Sequence, residues 1–289
     1  MKILLTGADG FTGLYLQEAA QAAGYEIWPL KADLLDKPAV FAELQHAQAD
    51  AVVHLAAISF VGHAEEVDFY RVNVVGTLNL LDALSALTMR PSKVLLASSA
   101  NVYGNCDASP ITEEQPAAPV SHYAMSKLAM EHLAKTYLDR LPLVFLRPFN
   151  YTGVGQASNF LIPKLVNHFA QRASKIELGN LHVQREFNDV RMVCCAYMAL
   201  LENGLVGETY NICSGQPFAL MDVIHELTEI TGHTIDIQVN PAFVRAHEVQ
   251  RLCGNPAKLW ASSGALPVYA LRDTLQWMLG AAVVQIVCD

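Results

Sequence analysis

The chain opens on a short apolar run, Lys2-Ile-Leu-Leu-Thr6, which is broken at once by Gly7-Ala-Asp-Gly10-Phe-Thr-Gly13. Phe11 to Ala23 then carries apolar residues at helical spacing. A strand that turns through glycines into a helix leaves few folds open. Glycines at that turn let backbone amides and the positive helix end approach a pyrophosphate, so the segment reads as the start of a dinucleotide-binding unit. The spacing G-x-x-G-x-x-G is weak alone, and the strand before it and helix after it supply the needed context.

The same alternation continues along the chain. Tyr25–Leu30 reads as a strand, Val40–Gln48 as a helix, Ala51–Ala56 as a buried strand and Arg71–Leu87 as a helix. Lys93–Ser98 reads as a strand, Pro110–Pro119 as a proline-rich loop, Tyr123–Leu138 as a helix, and Leu143–Arg147 and Tyr210–Ser214 as strands. Short apolar runs alternating with helices predict an α/β fold, a doubly wound parallel sheet of the Rossmann type. Residues 1–150, with about 183–214, form that dinucleotide domain. Residues 151–182 and 215–289 form a smaller mixed α/β lobe over the carboxyl ends of the strands, where ligands bind in such folds. The apolar end, Gly280 to Asp289, reads as a last strand or a disordered tail.

The 289 residues are 52% hydrophobic and 16% charged, enough for a large core. A formal charge of −9, with no run of Lys or Arg, argues against a nucleic-acid partner. The first strand starts at Lys2, and no apolar stretch reaches the roughly 18–20 residues that span a bilayer, so a cytoplasmic protein without a signal peptide or membrane anchor is expected. The six cysteines (Cys106, Cys194, Cys195, Cys213, Cys253, Cys288) show no C-x-x-C pair and no histidine ladder. They read as buried free thiols, with no metal site.

Tyr123-Ala-Met-Ser-Lys127 places a phenol and an ammonium four positions apart on one helix face, where the cation favours the ionised phenol. Using a tyrosine as a proton-transfer group near neutrality takes about 4 kcal/mol of differential stabilisation, to which lysine and an oxidised nicotinamide ring each bring a positive charge. Spacing of this kind also arises by chance. The order along the chain gives it meaning: glycine turn, then Ser99 at the end of an apolar run, then Tyr123 and Lys127. At the end of the second strand, where NAD-binding proteins place a carboxylate on the adenosine ribose, stands Lys31. A lysine there attracts a 2′-phosphate, which favours NADP, with NAD as the alternative. Asp33, just beyond, is positioned to accept from the adenine amino group.

These residues resemble the extended short-chain dehydrogenase/reductase (NAD-dependent epimerase/dehydratase) family over nearly the whole chain, from Gly7 to about Trp277. Ser99-Ala-Asn-Val-Tyr103-Gly104 and Tyr123-x-x-x-Lys127 fit its catalytic segments. His54-Leu-Ala-Ala57 is similar to its cofactor loop, Asn73-Val-Val-Gly-Thr77 to its mid-sheet helix motif, and Arg147-Pro-Phe-Asn150 to its substrate-side turn. The resemblance implies that Tyr123 is the general acid/base and that Lys127 lowers its pKa and binds the nicotinamide ribose. Ser99 would bond the reacting oxygen. Cofactor contacts are expected from Gly7, Gly10, Phe11, Thr12, Lys31, Asp33, Leu34, Leu55, Ala56, Ala57 and Arg147, besides Tyr123 and Lys127. Helices near Arg71 and Tyr123 resemble those that pair across a homodimer.

Gly179 to Val190, Tyr210 to Gly215 and Asn240 to Val249 are similar to the branch holding GDP-mannose 4,6-dehydratase and GDP-4-keto-6-deoxy-D-mannose reductase. Arg185 and Arg245 would chelate the diphosphate of a nucleotide sugar and Glu248 would accept from its nucleoside. Ser99, Asn101 and Asn150 complete the expected substrate contacts. The branch's usual proline after the second arginine is Ala246 here. Dehydratases of the family keep a Glu, often after Asp or Ser, two residues before the tyrosine of V-Y-G; here those positions are Asn101 and Ala100. An amide exchanges no proton at neutral pH, so elimination loses its agent. What remains is reduction of a C4 ketone, with a UDP- or dTDP-sugar 4-epimerase or dehydrogenase as the alternative. A catalytically silent cofactor-sensing module would have no use for Ser99, Tyr123 and Lys127 together.

Overall fold

The computed structural model describes residues 1–60, 63, 65–244 and 248–288, the last four of these as backbone. In chain order the first half holds β1 (Lys2–Thr6), α1 (Phe11–Ala22), β2 (Glu26–Pro29), α2 (Lys37–Ala47), β3 (Ala51–His54), α3 (Glu66–Tyr70), α4 (Thr77–Ser85), β4 (Lys93–Ala97), α5 (His122–Lys135) and β5 (Leu143–Pro148). The second half adds β6 (Tyr151–Thr152), α6 (Leu161–Ala170), β7 (Lys175–Leu178), β8 (Gln184–Glu186), β9 (Asn188–Asp189), α7 (Val190–Asn203) and β10 (Thr209–Ile212). It closes with β11 (Pro217–Ala219), α8 (Leu220–Thr231), β12 (Asp236–Val239), β13 (Arg251–Leu252), α9 (Ala257–Ser263) and α10 (Leu271–Cys288).

Six strands pair in parallel in the order β10-β5-β4-β3-β1-β2. The central strands are apolar on both faces because each face is covered. Ile3, Leu5, Val53, Leu95 and Val144 pack on one side with α1 and α7, while Leu4, Val52, Val94, Leu96 and Phe145 pack on the other with α2, α4 and α5. That period-two division is the signature of a doubly wound sheet. Strand order reverses between β1 and β3, and the glycine turn opens at that crevice. A third core joins α6, β7, α8 and α10 in a separate lobe. There β7 pairs with β12, and β8 lies between β11 and β13, outside the large sheet, to which α7 and β10 return.

Several boundaries move for local reasons. Asp36 accepts from Ala39 N at 3.1 Å and Pro38 suits a first turn, so α2 starts before Val40. Ser121 caps α5 through Ala124 N at 3.2 Å. The helix expected from Arg71 begins earlier, at α3, and runs into α4 through a wide π turn over Arg71–Gly76. The apolar end is neither strand nor loose tail. It continues α10, whose Leu271, Leu275, Met278 and Leu279 are buried against α6 and α8.

Arg147, expected at the cofactor, is instead a core residue. From β5 it makes a two-pronged pair with Glu131 of α5, at 2.8 and 2.6 Å, and its guanidinium lies 4.8 Å from the centre of the Tyr103 ring. Glu131 is fully buried. Pairing with this carboxylate raises the Arg147 pKa above its ordinary value against the cost of burial, so the charge is permanent. The pair fixes the helix that carries Tyr123 and Lys127 onto the sheet. Arg147→Met leaves the Glu131 carboxylate without that partner, and urea unfolding should show a loss of about 3–5 kcal/mol.

Candidate active site

A cleft of about 870 Å³ runs from the glycine turn, past the carboxyl ends of β3, β4 and β5, to the second lobe. It brings together Gly7, Gly10, Phe11, Thr12, Leu55, Ala56, Ala57, Ser99, Asn101, Tyr123, Lys127, Asn150, Arg185 and Glu248 from the residues the sequence singles out. Lys31, Asp33, Leu34 and Arg147 do not line it. Lys31 is exposed beside the turn, with Nζ 3.7 Å from Asp9 Oδ2. The side chain of Asp33 accepts from Leu35 N at 2.9 Å, and that of Leu34 packs in the core. Arg245 lies outside the described residues.

The turn is shaped for close backbone approach. Gly7 adopts φ +70°, and a Cβ there would stand 2.9 Å from Ala56 N; a Cβ on Gly13 would stand 2.2 Å from the Gly7 carbonyl oxygen. Gly10 begins α1 with no side chain bonded across its first turn. Ser98 Oγ, buried at the same cleft, has no hydrogen-bond partner among the described residues. This open, amide-lined cradle fits a dinucleotide diphosphate and its ribose.

His54, at the end of β3, is buried between two threonines. Its Nδ1 is 2.7 Å from Thr6 Oγ1 of β1 and its Nε2 is 2.9 Å from Thr77 Oγ1 of α4. Ala56 N donates to Thr6 Oγ1 at 3.0 Å and Thr77 Oγ1 to the Asn73 carbonyl at 2.8 Å. Asn73 accepts from Ile58 N at 2.9 Å and donates to Ser126 Oγ at 3.0 Å, while Ser126 donates to the Tyr123 carbonyl at 2.8 Å. One polar chain thus links Leu55–Ala57, which line the cleft, to the start of α5.

Ser99, at the end of β4, hydrogen-bonds the Tyr123 phenol and also accepts from Asn101 N at 3.2 Å. Lys127 Nζ donates to the Ala97 carbonyl at 2.7 Å. Burial holds the Tyr123 phenol above its ordinary value, and the Ser99 bond only partly opposes this. Burial also pushes Lys127 down to about 8 against the pull of Glu131. The expected lowering of the phenol by Lys127 is therefore not what the resting site shows: desolvation dominates.

At the far end, Arg185 Nη2 donates to Glu248 Oε1 at 2.8 Å and to the Val249 carbonyl. The two expected substrate contacts are thus paired with each other. Residues the sequence did not single out complete the walls. Phe60 and Phe160 meet edge to face at 5.6 Å between the two lobes, and Tyr151 stacks near Phe11 while bonding Thr12 Oγ1 at 2.7 Å. Glu186, beside Arg185, is fully buried and accepts from Gly254 N at 2.6 Å, Ser214 N at 2.7 Å and Gly215 N at 3.2 Å, tying β8 to two loops. A charged residue adjoining Arg185 was its visible signal. Among the described residues no helix is long and apolar enough to cross a membrane.

The class that this sheet, turn and Ser-Tyr-Lys cluster define matches a known family. The model of the NAD dependent epimerase/dehydratase family matches residues 3–213, and the chain belongs to that family. It is 36% identical over 266 residues, 90% of each chain, to GDP-6-deoxy-D-talose 4-dehydrogenase from Aggregatibacter actinomycetemcomitans. It is 35% identical over 294 residues, 96% of each chain, to GDP-6-deoxy-D-mannose reductase from Pseudomonas aeruginosa. The structure of RMD from Pseudomonas aeruginosa complexed with NADPH superimposes with a TM-score of 0.91 at 32% identity, covering 98% of this chain and 99% of that one.

Burial holds His54 neutral, with its pKa lowered to about 3. The unfolded chain takes up that proton near pH 6.5 and the folded chain does not, so stability falls as pH drops from about 6.5 towards 3, by about 1.4 kcal/mol per pH unit. Urea unfolding measured from about pH 6 to pH 4 should therefore show a shallower loss in His54→Gln than in the wild type, by up to about that slope.

Proposed function

We propose that the protein is an NAD(P)H-dependent reductase of the C4 ketone of a nucleotide-activated 4-keto-6-deoxyhexose, with GDP-4-keto-6-deoxy-D-mannose as substrate. The observation that carries this reading is the composition of the cleft: Ser99, Tyr123 and Lys127 stand together, Asn101 occupies the place of a dehydratase carboxylate, and Glu248 is the one carboxylate among the described lining residues. The similarity to GDP-6-deoxyhexose oxidoreductases supports the guanosine nucleotide and the deoxysugar.

Gly7, Gly10 and the start of α1 would hold the diphosphate of the cofactor, and Lys127 its nicotinamide ribose. When bound, the reduced nicotinamide supplies a hydride to the carbonyl carbon. Tyr123 delivers its phenolic proton to the C4 oxygen as negative charge develops there, and Ser99 Oγ–H steadies the same oxygen. Lys127, beside the phenol on the same helix face, favours the tyrosinate left behind. Asn101 orients the sugar without exchanging a proton. Arg185 binds the substrate diphosphate at the far end and Glu248 the nucleoside. The outward faces of α3, the π turn and α5 leave Val67, Val75 and Met125 exposed, which supports a homodimer through these elements.

Mixing the protein with NADPH and GDP-4-keto-6-deoxy-D-mannose should consume the absorbance of the reduced nicotinamide. Turnover of a UDP- or dTDP-sugar with none of the GDP-sugar would overturn the assignment. Tyr123→Phe should bind NADPH as the wild type does and lose about 10²- to 10⁴-fold in turnover, and retained activity would remove Tyr123 as proton donor.

A further inference from the structure

Helix α5 carries a further ionisable group one turn beyond Lys127. Tyr123, Lys127 and Glu131 share one face, with Lys127 4% exposed and Glu131 fully buried. Both Glu131 oxygens accept from the Arg147 guanidinium of β5, at 2.8 and 2.6 Å. Arg147 rests in turn against the Tyr103 ring, and Tyr103 donates to Asn211 Oδ1 at 2.6 Å. Glu131 is therefore fixed by Arg147 and meets Lys127 through space, while Lys127 Nζ donates to the Ala97 carbonyl.

Two buried cations thus share one carboxylate. Burial is the larger influence on Lys127 and drives its proton off; the Glu131 charge opposes this and leaves the group at about 8. The other groups on this side of the sheet bring Lys127 no such help. His54 of β3 is held neutral by burial, to which the Lys127 charge adds. Tyr103, Tyr123 and Tyr151 are each raised by burial and stay uncharged. Glu113, in the loop before α5, accepts from Asn211 N at 2.8 Å, beyond Tyr103. Without Glu131, Lys127 would face both burial and the second cation, Arg147.

We propose that Glu131 is a positioning residue acting through Lys127: it is the counter-ion that the two buried cations share, and it sets the alkaline limit of turnover. The inference rests on the reading of Lys127 as the charge that relieves the Tyr123 phenolate. Once Lys127 loses its proton, that phenolate forms uncompensated in a buried site, so turnover falls as pH rises through the lysine titration. The phenol itself, raised above its ordinary value, titrates beyond this limit.

Two titrations test the proposal. One follows Lys127 by nuclear magnetic resonance in cofactor-free protein carrying isotope-labelled lysine, its signal identified by loss in Lys127→Met. The other is the pH profile of kcat with NADPH and GDP-4-keto-6-deoxy-D-mannose. Glu131→Gln should move both midpoints down by about one to two pH units. Arg147→Met should move them up, because it leaves the carboxylate to Lys127 alone; a merely structural loss would not give the two variants opposite signs. If a single variant fails to fold, the double variant Glu131→Gln/Arg147→Met, which strands neither charge of the pair, decides the matter. Its midpoints should lie below the wild type by about half a pH unit or more. Unmoved midpoints in Glu131→Gln or in the double variant, a kcat limb that stays while the Lys127 signal moves, or a wild-type Lys127 that titrates below about pH 7 would overturn the inference. The Lys127 shifts without any turnover of the GDP-sugar by the wild type would instead overturn the reductase reading and leave the link between Glu131 and Lys127 standing.

Discussion

The proton on His54 Nε2 has a defined destination. Thr77 Oγ1 gives its own hydrogen to the Asn73 carbonyl, so it accepts from Nε2, and Nδ1 then accepts from Thr6, whose oxygen accepts from Ala56 N. Every member of this buried chain is satisfied in one direction, and protonating Nδ1 would set two donors against each other. Orphaning one such group costs about 1–3 kcal/mol, so the chain behaves as a rigid strut. It joins β1, β3 and α4 at the crevice where the cofactor is proposed to bind. The π turn before α4 belongs to the same construction, since Asn73 sits within it and reaches both the Ile58 backbone and Ser126 under Tyr123. The loop proposed to meet the cofactor and the helix that carries the proposed proton donor are therefore held by one set of hydrogen bonds.

How much of this the amino-acid sequence reveals depends on whether the determining interaction is local. The glycine turn, the apolar strands and the helix carrying Tyr123 and Lys127 are readable because φ restriction, period-two burial and i to i+4 spacing act within a few residues. Arg147 is misread for the opposite reason. The family resemblance puts it among the cofactor contacts, and only its partner shows otherwise, a carboxylate 16 residues upstream on another element. One signal was available: Tyr123, Lys127 and Glu131 recur at four-residue spacing, which places a carboxylate on the buried face of α5. The end of α10 is similarly opaque: Ala282 packs against the core that α6 and α8 share, whereas Val283 and Val284 are exposed.

The second lobe is held by carboxylates whose partners are backbone amides and distant side chains. Glu186 fastens the loops around Ser214 and Gly254 to β8. Asp189 caps α7 through Arg191 N, pairs with the Arg191 guanidinium at 2.9 and 2.7 Å, and accepts from Thr274 of α10. Such roles leave no periodic trace in a sequence. Read along the chain, Arg185, Glu186 and Asp189 form one polar cluster; in three dimensions Arg185 reaches the cleft while the two carboxylates build its frame. That frame lets a charged arginine stand almost buried at the ligand end, its charge met by Glu248 and the Val249 carbonyl.

The electrostatics of the cleft bear on the direction of the chemistry. Tyr123 is buried, and its phenol is held above its ordinary value, so near neutrality it carries its proton. That is the state needed to protonate an oxygen on which charge is developing, and the wrong state for taking a proton from a hydroxyl. An epimerase or an alcohol oxidation begins with removal of a proton and needs the tyrosinate, which the positive charge of an oxidised nicotinamide favours. A reduced ring brings no such charge, so beside it Tyr123 remains an acid. Lys127, pushed down to about 8 yet still largely protonated near neutrality, then matters after proton transfer, when its charge faces the new phenolate. Asn101 adds no second proton-exchanging group next to this acid. A buried phenol, poised protonated and relieved by a neighbouring ammonium once it has given its proton away, suits the proposed reduction of a ketone.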